Sequence, residues 1–145
     1  VAVTAKFYSS FFLSVLNKEV DLDADTIKVM LCTSAYSPNQ DTHRYKSDVT
    51  NEITGTGYTA GGVSMTSIQI TYNATTNTIT IDGDDAQWTS ATFTARYAVI
   101  YDTTPSGDSA RPLIGYVDFG ADIAVSAGTF TVSWDAAGFG TVVVA

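Results

Sequence analysis

The sequence predicts a mainly β, single-domain protein, either a β-sandwich or a partly closed barrel, with one helix at its N-terminus. Three observations point that way. Apolar and polar residues alternate through several short runs, as in Ala95–Tyr101, Leu113–Phe119 and Thr129–Trp134. Turn-forming residues separate those runs at close spacing. Charged residues are only 15% of the chain, and Thr, Ser, Gly and Ala fill their place, a mixture suited to strands with hydroxyl-bearing faces.

The elements follow in order. Phe7, Phe11 and Val15 are spaced by four, and so are Tyr8, Phe12 and Leu16. These six share one broad face of a helix over about residues 5–17, with Thr4 as its N-cap and Asn17 closing it in the left-handed region. A face so apolar needs a cover, either the protein's own sheet or a neighbouring copy. Asp21, Asp23 and Asp25 form an acidic connector. A strand over about Thr26–Thr33 follows, with Ile27, Val29 and Leu31 on one side and Lys28, Met30 and Cys32 on the other.

Residues 34–62 keep no sustained period and carry Pro38, Gly55, Gly57, Gly61 and Gly62. A loop this long is unusual unless it has a function. Tyr36, Tyr45 and Tyr58 predict an ordered, packed excursion, with a helical turn near Thr42–Lys46. Val63–Tyr72 reads as one strand whose parity shifts, which a bulge near Thr66-Ser67 reconciles. Asn73–Asn77 then makes a hairpin to Thr78–Asp82. The last β-branched run is Thr141–Val144. No repeat or linker divides the 145 residues, so residues 1–145 are expected to form one domain.

Composition narrows the function. The net charge of −8 repels phosphate backbones and anionic lipid, which argues against nucleic-acid and membrane partners. One cysteine, Cys32, allows no internal disulfide, fits synthesis in a reducing cytoplasm and reads as a buried, inert thiol. Val1–Lys6 lacks the organisation of a signal peptide, which leaves open a mature chain whose leader has been removed.

Chemistry finds little purchase. The single histidine, His43, has no nucleophile elbow to serve. One His and one Cys are too few for zinc. Gly55-Thr56-Gly57-Tyr58-Thr59-Ala60 matches a dinucleotide fingerprint in letters only, because a β-like run rather than a helix follows. Asp82, Asp84 and Asp85 around Gly83 are the best candidates for a cation, although the spacing and closing Glu of a calcium loop are missing. Trp88 and Trp134 read as core anchors. The expectation is a protein that is not an enzyme and needs no cofactor or metal.

Several stretches resemble a recurrent family of tailed-bacteriophage virion structural proteins. They run from Asn17 through Tyr36, then Pro38–Tyr45, Ser47–Ile53, Gly55–Gly62, Ala95–Asp102 and Pro112–Gly120, in order along the chain. The resemblance implies a minor capsid component made in the host bacterial cytoplasm. More specifically, it implies a head decoration, or cement, protein on the capsid exterior, with the major capsid protein and copies of itself as partners, commonly as trimers. The residues chosen for the partner interface are Tyr36, Arg44, Tyr45 and Tyr58, residue types enriched in binding hot spots. The competing expectation is that these aromatics pin the excursion to its own sheet. The termini, Val1–Thr4 and Thr141–Ala145, are further candidates for pairing with a partner's sheet edge. A tail or host-adhesion component that binds receptor or carbohydrate is the alternative within virion proteins. A small acidic hydrolase and a secreted binding module are the alternatives outside them.

Overall fold

A computed structural model describes residues 2–145. Over these residues the protein is mainly β, with two antiparallel sheets of five and three strands, one short helix and no closed barrel. The strands are β1 (Thr4–Phe7), β2 (Ile27–Cys32), β3 (Val63–Ser64), β4 (Gln69–Asn73), β5 (Thr78–Asp82), β6 (Ala86–Asp102), β7 (Leu113–Val132) and β8 (Gly140–Val143). The helix α1 spans Ser10–Leu16, and short 3₁₀ turns cover Lys46–Asp48 and Asp108–Ala110. The larger sheet has the order β1-β7-β6-β2-β3 and the smaller one β4-β5-β8.

The centre of the five-stranded sheet is buried on both faces, which explains why β2 is apolar at nearly every position. On one face Ile27, Val29, Leu31, Ala98 and Ile100 join Trp88, Phe93 and Phe130, together with Ile81 from β5. On the other, Met30, Cys32, Val99 and Tyr101 meet Tyr8, Tyr36, Leu113 and Tyr116. The alternation expected along Tyr97, Val99 and Tyr101 is present, all three lying with the second cluster.

The helix is shorter than its apolar spacing predicts. Thr4–Phe7 pairs with β7, from Thr4 opposite Asp118 to Phe7 opposite Gly115, so Thr4 belongs to a strand and caps nothing. Ser9 occupies the cap position, without a side-chain capping bond. A helix of seven residues has little stability of its own, and the open edge of β7 offers these backbone groups better partners. Strand alternation also accounts for Phe7 and Tyr8, which enter opposite clusters. The left-handed residue after the helix is Lys18 (φ 60°) rather than Asn17 (φ −86°).

The single strand expected over Val63–Tyr72 is two strands in different sheets. Val63 and Ser64 pair with β2, whereas Gln69–Asn73 pairs with β5. The parity shift therefore marks a crossover, with Ser67 at φ 55°, and not a bulge. The expected hairpin across Asn73–Asn77 forms, and Asn73 Oδ1 accepts from Thr75 N–H at 2.9 Å.

Leu113–Phe119 and Thr129–Trp134 belong to one 20-residue strand, except Ser133 and Trp134, which follow its end. Four register shifts let β6 and β7 remain paired while they bend. At the largest, Arg96 alone faces residues 119–122. Asp118 Oδ1 organises this bulge, accepting from Arg96 Nε at 2.7 Å and from Gly120 N–H at 2.8 Å. The distal half of the ribbon, with Trp88, Phe93 and Phe130, closes over the first core cluster.

Candidate functional site

The excursion over residues 34–62 is ordered by its own side chains. Tyr36 is 1% exposed. Its hydroxyl lies 2.8 Å from Tyr8 Oη and 3.0 Å from His43 Nδ1. His43 Nδ1 also accepts the Asn39 backbone N–H at 3.3 Å, so the relay runs from Tyr8 to Tyr36 to His43. The Tyr36 and His43 rings stack at 5.7 Å. Burial pushes the Tyr36 phenol up to about 12 and Tyr8 well above the ordinary tyrosine range, so both remain neutral donors.

Arg44 and Tyr45 sit at the border between interior and solvent, both half-buried. Arg44 Nη2 donates to both Glu19 carboxylate oxygens, at 3.0 and 3.2 Å, and the guanidinium lies 5.1 Å from the Tyr45 ring centroid. Their backbone N–H groups both donate to Asp48 Oδ2, at 2.8 and 3.0 Å. Those two bonds hold the Asp48 carboxyl below the usual carboxylate range in spite of its partial burial. Leu113 N–H donates to Arg44 O, and Lys46 N–H to Arg111 O, both at 2.8 Å. The loop is thereby stitched to the start of β7. The helical turn expected near Thr42–Lys46 is a 3₁₀ turn at Lys46–Asp48.

Tyr58 turns inward at the far end of the excursion. It donates to Glu52 Oε1 at 2.7 Å, accepts Leu31 N–H at 3.0 Å, and stacks on Trp88 at 6.2 Å. Gly55 and Gly57 lie against Thr92, Phe93 and Ala91 of β6, and Thr56 bridges to Thr92. The fingerprint-like run is thus a strap laid on a strand, with neither the strand nor the helix that nucleotide binding needs.

The four interface candidates therefore divide. Tyr36 and Tyr58 spend their hydroxyls and rings inside the chain, and Arg44 and Tyr45 remain at the surface. At the termini, Val1 lies outside the described residues. Thr4 pairs with β7 and Thr141–Val143 with β5, each on one side, and β1 and β8 are edge strands of their sheets.

Asp21, Asp25, Asp82, Asp84 and Asp85 are committed to local structure. Asp84 Oδ2 accepts Ser67 Oγ at 2.7 Å and Thr66 Oγ1 at 2.8 Å, which lowers its pKa and ties down the crossover between the sheets. Asp85 Oδ1 accepts Trp134 N–H at 2.9 Å, and Asp82 Oδ1 accepts Gly83 N–H at 2.9 Å. Asp21 and Asp25 shape the turn before β2. Among the described residues, no three His, Cys, Asp or Glu side chains are grouped so as to hold a metal. Cys32 is fully buried, and burial pushes its thiol up to about 12.

The apolar face of α1, for which the sequence left two covers open, the protein's own sheet or a neighbouring copy, is only partly covered within the chain. Phe11 and Ser14 face inward, while Phe12, Leu13, Val15 and Leu16 face solvent. Its signal was present as apolar residues all round a short helix with no charge among them. No helix among the described residues is long and apolar enough to cross a membrane. Comparison with protein-family models, curated proteins and solved structures yielded no match.

Proposed function

We propose that this chain is a non-enzymatic virion structural protein of a tailed phage, a decoration protein that binds the outer surface of the capsid shell and stabilises it. The observation that carries this reading is the pre-ordered excursion over residues 34–62. Its backbone and aromatics are fixed by internal bonds, and it presents Arg44 and Tyr45 at its border. A loop ordered before binding loses little conformational entropy on docking. The resemblance of the sequence to tailed-phage structural proteins supports the same role. Cementing then follows from repetition: each copy bridges neighbouring shell subunits, weak contacts add through multivalency, and bound copies favour the assembled state by mass action.

The test is co-sedimentation of the purified protein with DNA-free heads of its phage, with purified tails as the control. Saturable binding to heads is expected, weakened about tenfold by Tyr45→Ala. Binding to tails or host envelopes alone overturns the decoration role.

One observation favours the tail or host-adhesion reading. A groove of about 550 Å³ between β1 and the C-terminal segment is lined by Phe119, Trp134 and Phe139, with Lys6 and Asp135 beside them. Aromatic walls with polar groups at the rim suit a sugar ring. Saccharide binding that is lost in Trp134→Ala is the result that would move the protein to that class.

A further inference from the structure

Strand β6 ends in a carboxylate that the fold leaves incomplete. Asp102 is fully buried, its Oδ1 accepts Thr104 N–H at 2.8 Å, and its Oδ2 has no partner. Asp102 stands opposite Ile27 of β2, so Asp25, two residues before Ile27, lies on the same face of the sheet. The Asp25 carboxyl comes within hydrogen-bonding reach of the Asp102 carboxyl. Asp25 is half-buried, and its Oδ2 accepts Asp21 N–H at 2.7 Å. The backbone around the pair is fixed. Thr103 N–H and Oγ1 both donate to Thr26 O, at 2.9 and 3.1 Å, and Thr26 N–H donates to Thr104 Oγ1 at 2.8 Å. Among the described residues the ion pairs are Arg44–Glu19, Lys46–Asp108, Arg96–Asp118 and Arg111–Asp108, and none includes Asp25 or Asp102. Lys28, the one base on β2, stands opposite Tyr101 on the other face, and Lys18 shares a hollow with Asp21. The remaining charged groups of the turn, Asp21 and Asp23, are acids.

We infer that Asp25 and Asp102 form a calcium site, with Asp102 Oδ2 as the buried ligand, Asp25 as the ligand at the entrance and water completing the coordination. A buried carboxylate oxygen with neither donor nor counter-charge is costly, and a second carboxylate beside it adds repulsion. A hard divalent cation removes both penalties together, because carboxylate oxygen is its preferred ligand. Burial, reinforced by Asp25, holds the Asp102 carboxyl up at about 6. Above neutral pH the pair is therefore ionised and ready for a cation, and in acid a proton takes the cation's place. Geometry selects calcium over magnesium. Magnesium sheds its water reluctantly and demands a near-octahedral set, whereas this buried oxygen has to bind directly and the set is irregular. Two carboxylates place the affinity in the weak class, with a Kd of about 0.1–1 mM. The turn at Asp82–Asp85 differs, because Asp84 Oδ2 and Asp85 Oδ1 already have donors. The pair lies outside the excursion that carries the proposed shell contact, so the two proposals succeed or fail independently.

Thermal melting of the whole chain, freed of metal with chelator and then titrated with calcium chloride to about 10 mM, tests the inference. At about pH 7.5 the melting temperature is expected to rise by about 5 °C, and at about pH 4.5 the rise should vanish. Magnesium chloride at the same concentration should give less than about half the shift. Asp102→Asn keeps an acceptor for Thr104 N–H but removes the charge, and should abolish the calcium response. Asp25→Asn, at a half-buried position, should abolish it independently. Asp122→Asn, at an exposed acid on β7, should keep it. A wild type indifferent to calcium overturns the inference. So does an equal rise with magnesium, which would mark general screening of the net charge of −8. A response that persists at about pH 4.5, or in either Asp25→Asn or Asp102→Asn, overturns it as well. Head binding lost in Tyr45→Ala, measured separately, bears only on the decoration role.

Discussion

At the residue scale, the tyrosine relay and one buried carboxyl carry the sharpest consequences. Tyr8 is fully buried, and its hydroxyl has Tyr36 as its hydrogen-bond partner. Tyr36→Phe strands that hydroxyl and should cost about 1–3 kcal/mol. Tyr8→Phe removes the bond but leaves Tyr36 on His43, and should cost about 0.5–1.5 kcal/mol. Urea unfolding of both variants checks the order. Asp102 is fully buried, accepts Thr104 N–H at 2.8 Å, and has no partner for Oδ2. Burial above all, reinforced by the neighbouring Asp25 carboxyl, pushes it up to about 6. Between about pH 4 and 6 the folded state keeps a proton that the unfolded chain has released. Stability should therefore fall as pH rises through that window, by on the order of 2 kcal/mol, and this contribution should be level above it. Melting temperatures of the wild type and Asp102→Asn across pH 4–8 check this, the variant losing this slope and gaining stability at neutral pH.

At the element scale, the strap of the excursion depends on backbone approach. Gly62 has φ +79°, and a Cβ there would collide with the Val29 carbonyl of β2. Gly62→Ala combines that clash with a left-handed conformation and should cost at least about 2 kcal/mol in denaturant unfolding, or prevent folding. Local pattern and tertiary pairing compete throughout these elements. The alternation of Tyr97, Val99 and Tyr101 and the turn Asn73–Asn77 were legible because period and turn chemistry are local properties. The strand Thr4–Phe7 was not, because its spacing by four with Phe11 and Phe12 suits a helix and only the distant edge of β7 makes it a strand. Nor was the continuity of β7, because Gly120 reads as a stop in sequence. Its bulge is held open by Asp118 and by Arg96 from the neighbouring strand. Among the candidate residues, the sequence pointed to an ordered loop but not to the orientation of its side chains. Tyr36 and Arg44 are both hot-spot types, and only the partners Tyr8 and Glu19 decide which turns inward.

At the scale of the whole molecule, two antiparallel sheets enclose one apolar cluster, and the excursion covers a second on the opposite face of the larger sheet. Asp21, Asp25, Asp82, Asp84 and Asp85 are engaged in turns and at the crossover, and the surface retains an ordered loop on one hand and an uncharged helix face on the other. That division suits a protein whose work is binding and assembly. The most direct test of this account is to saturate DNA-free heads of the phage with the purified protein and follow their disruption on heating. The account predicts saturable loading and a higher disruption temperature that returns to the bare-head value when loading is lost in Tyr45→Ala. Heads that bind no protein, or that bind it and come apart at the same temperature, would contradict it.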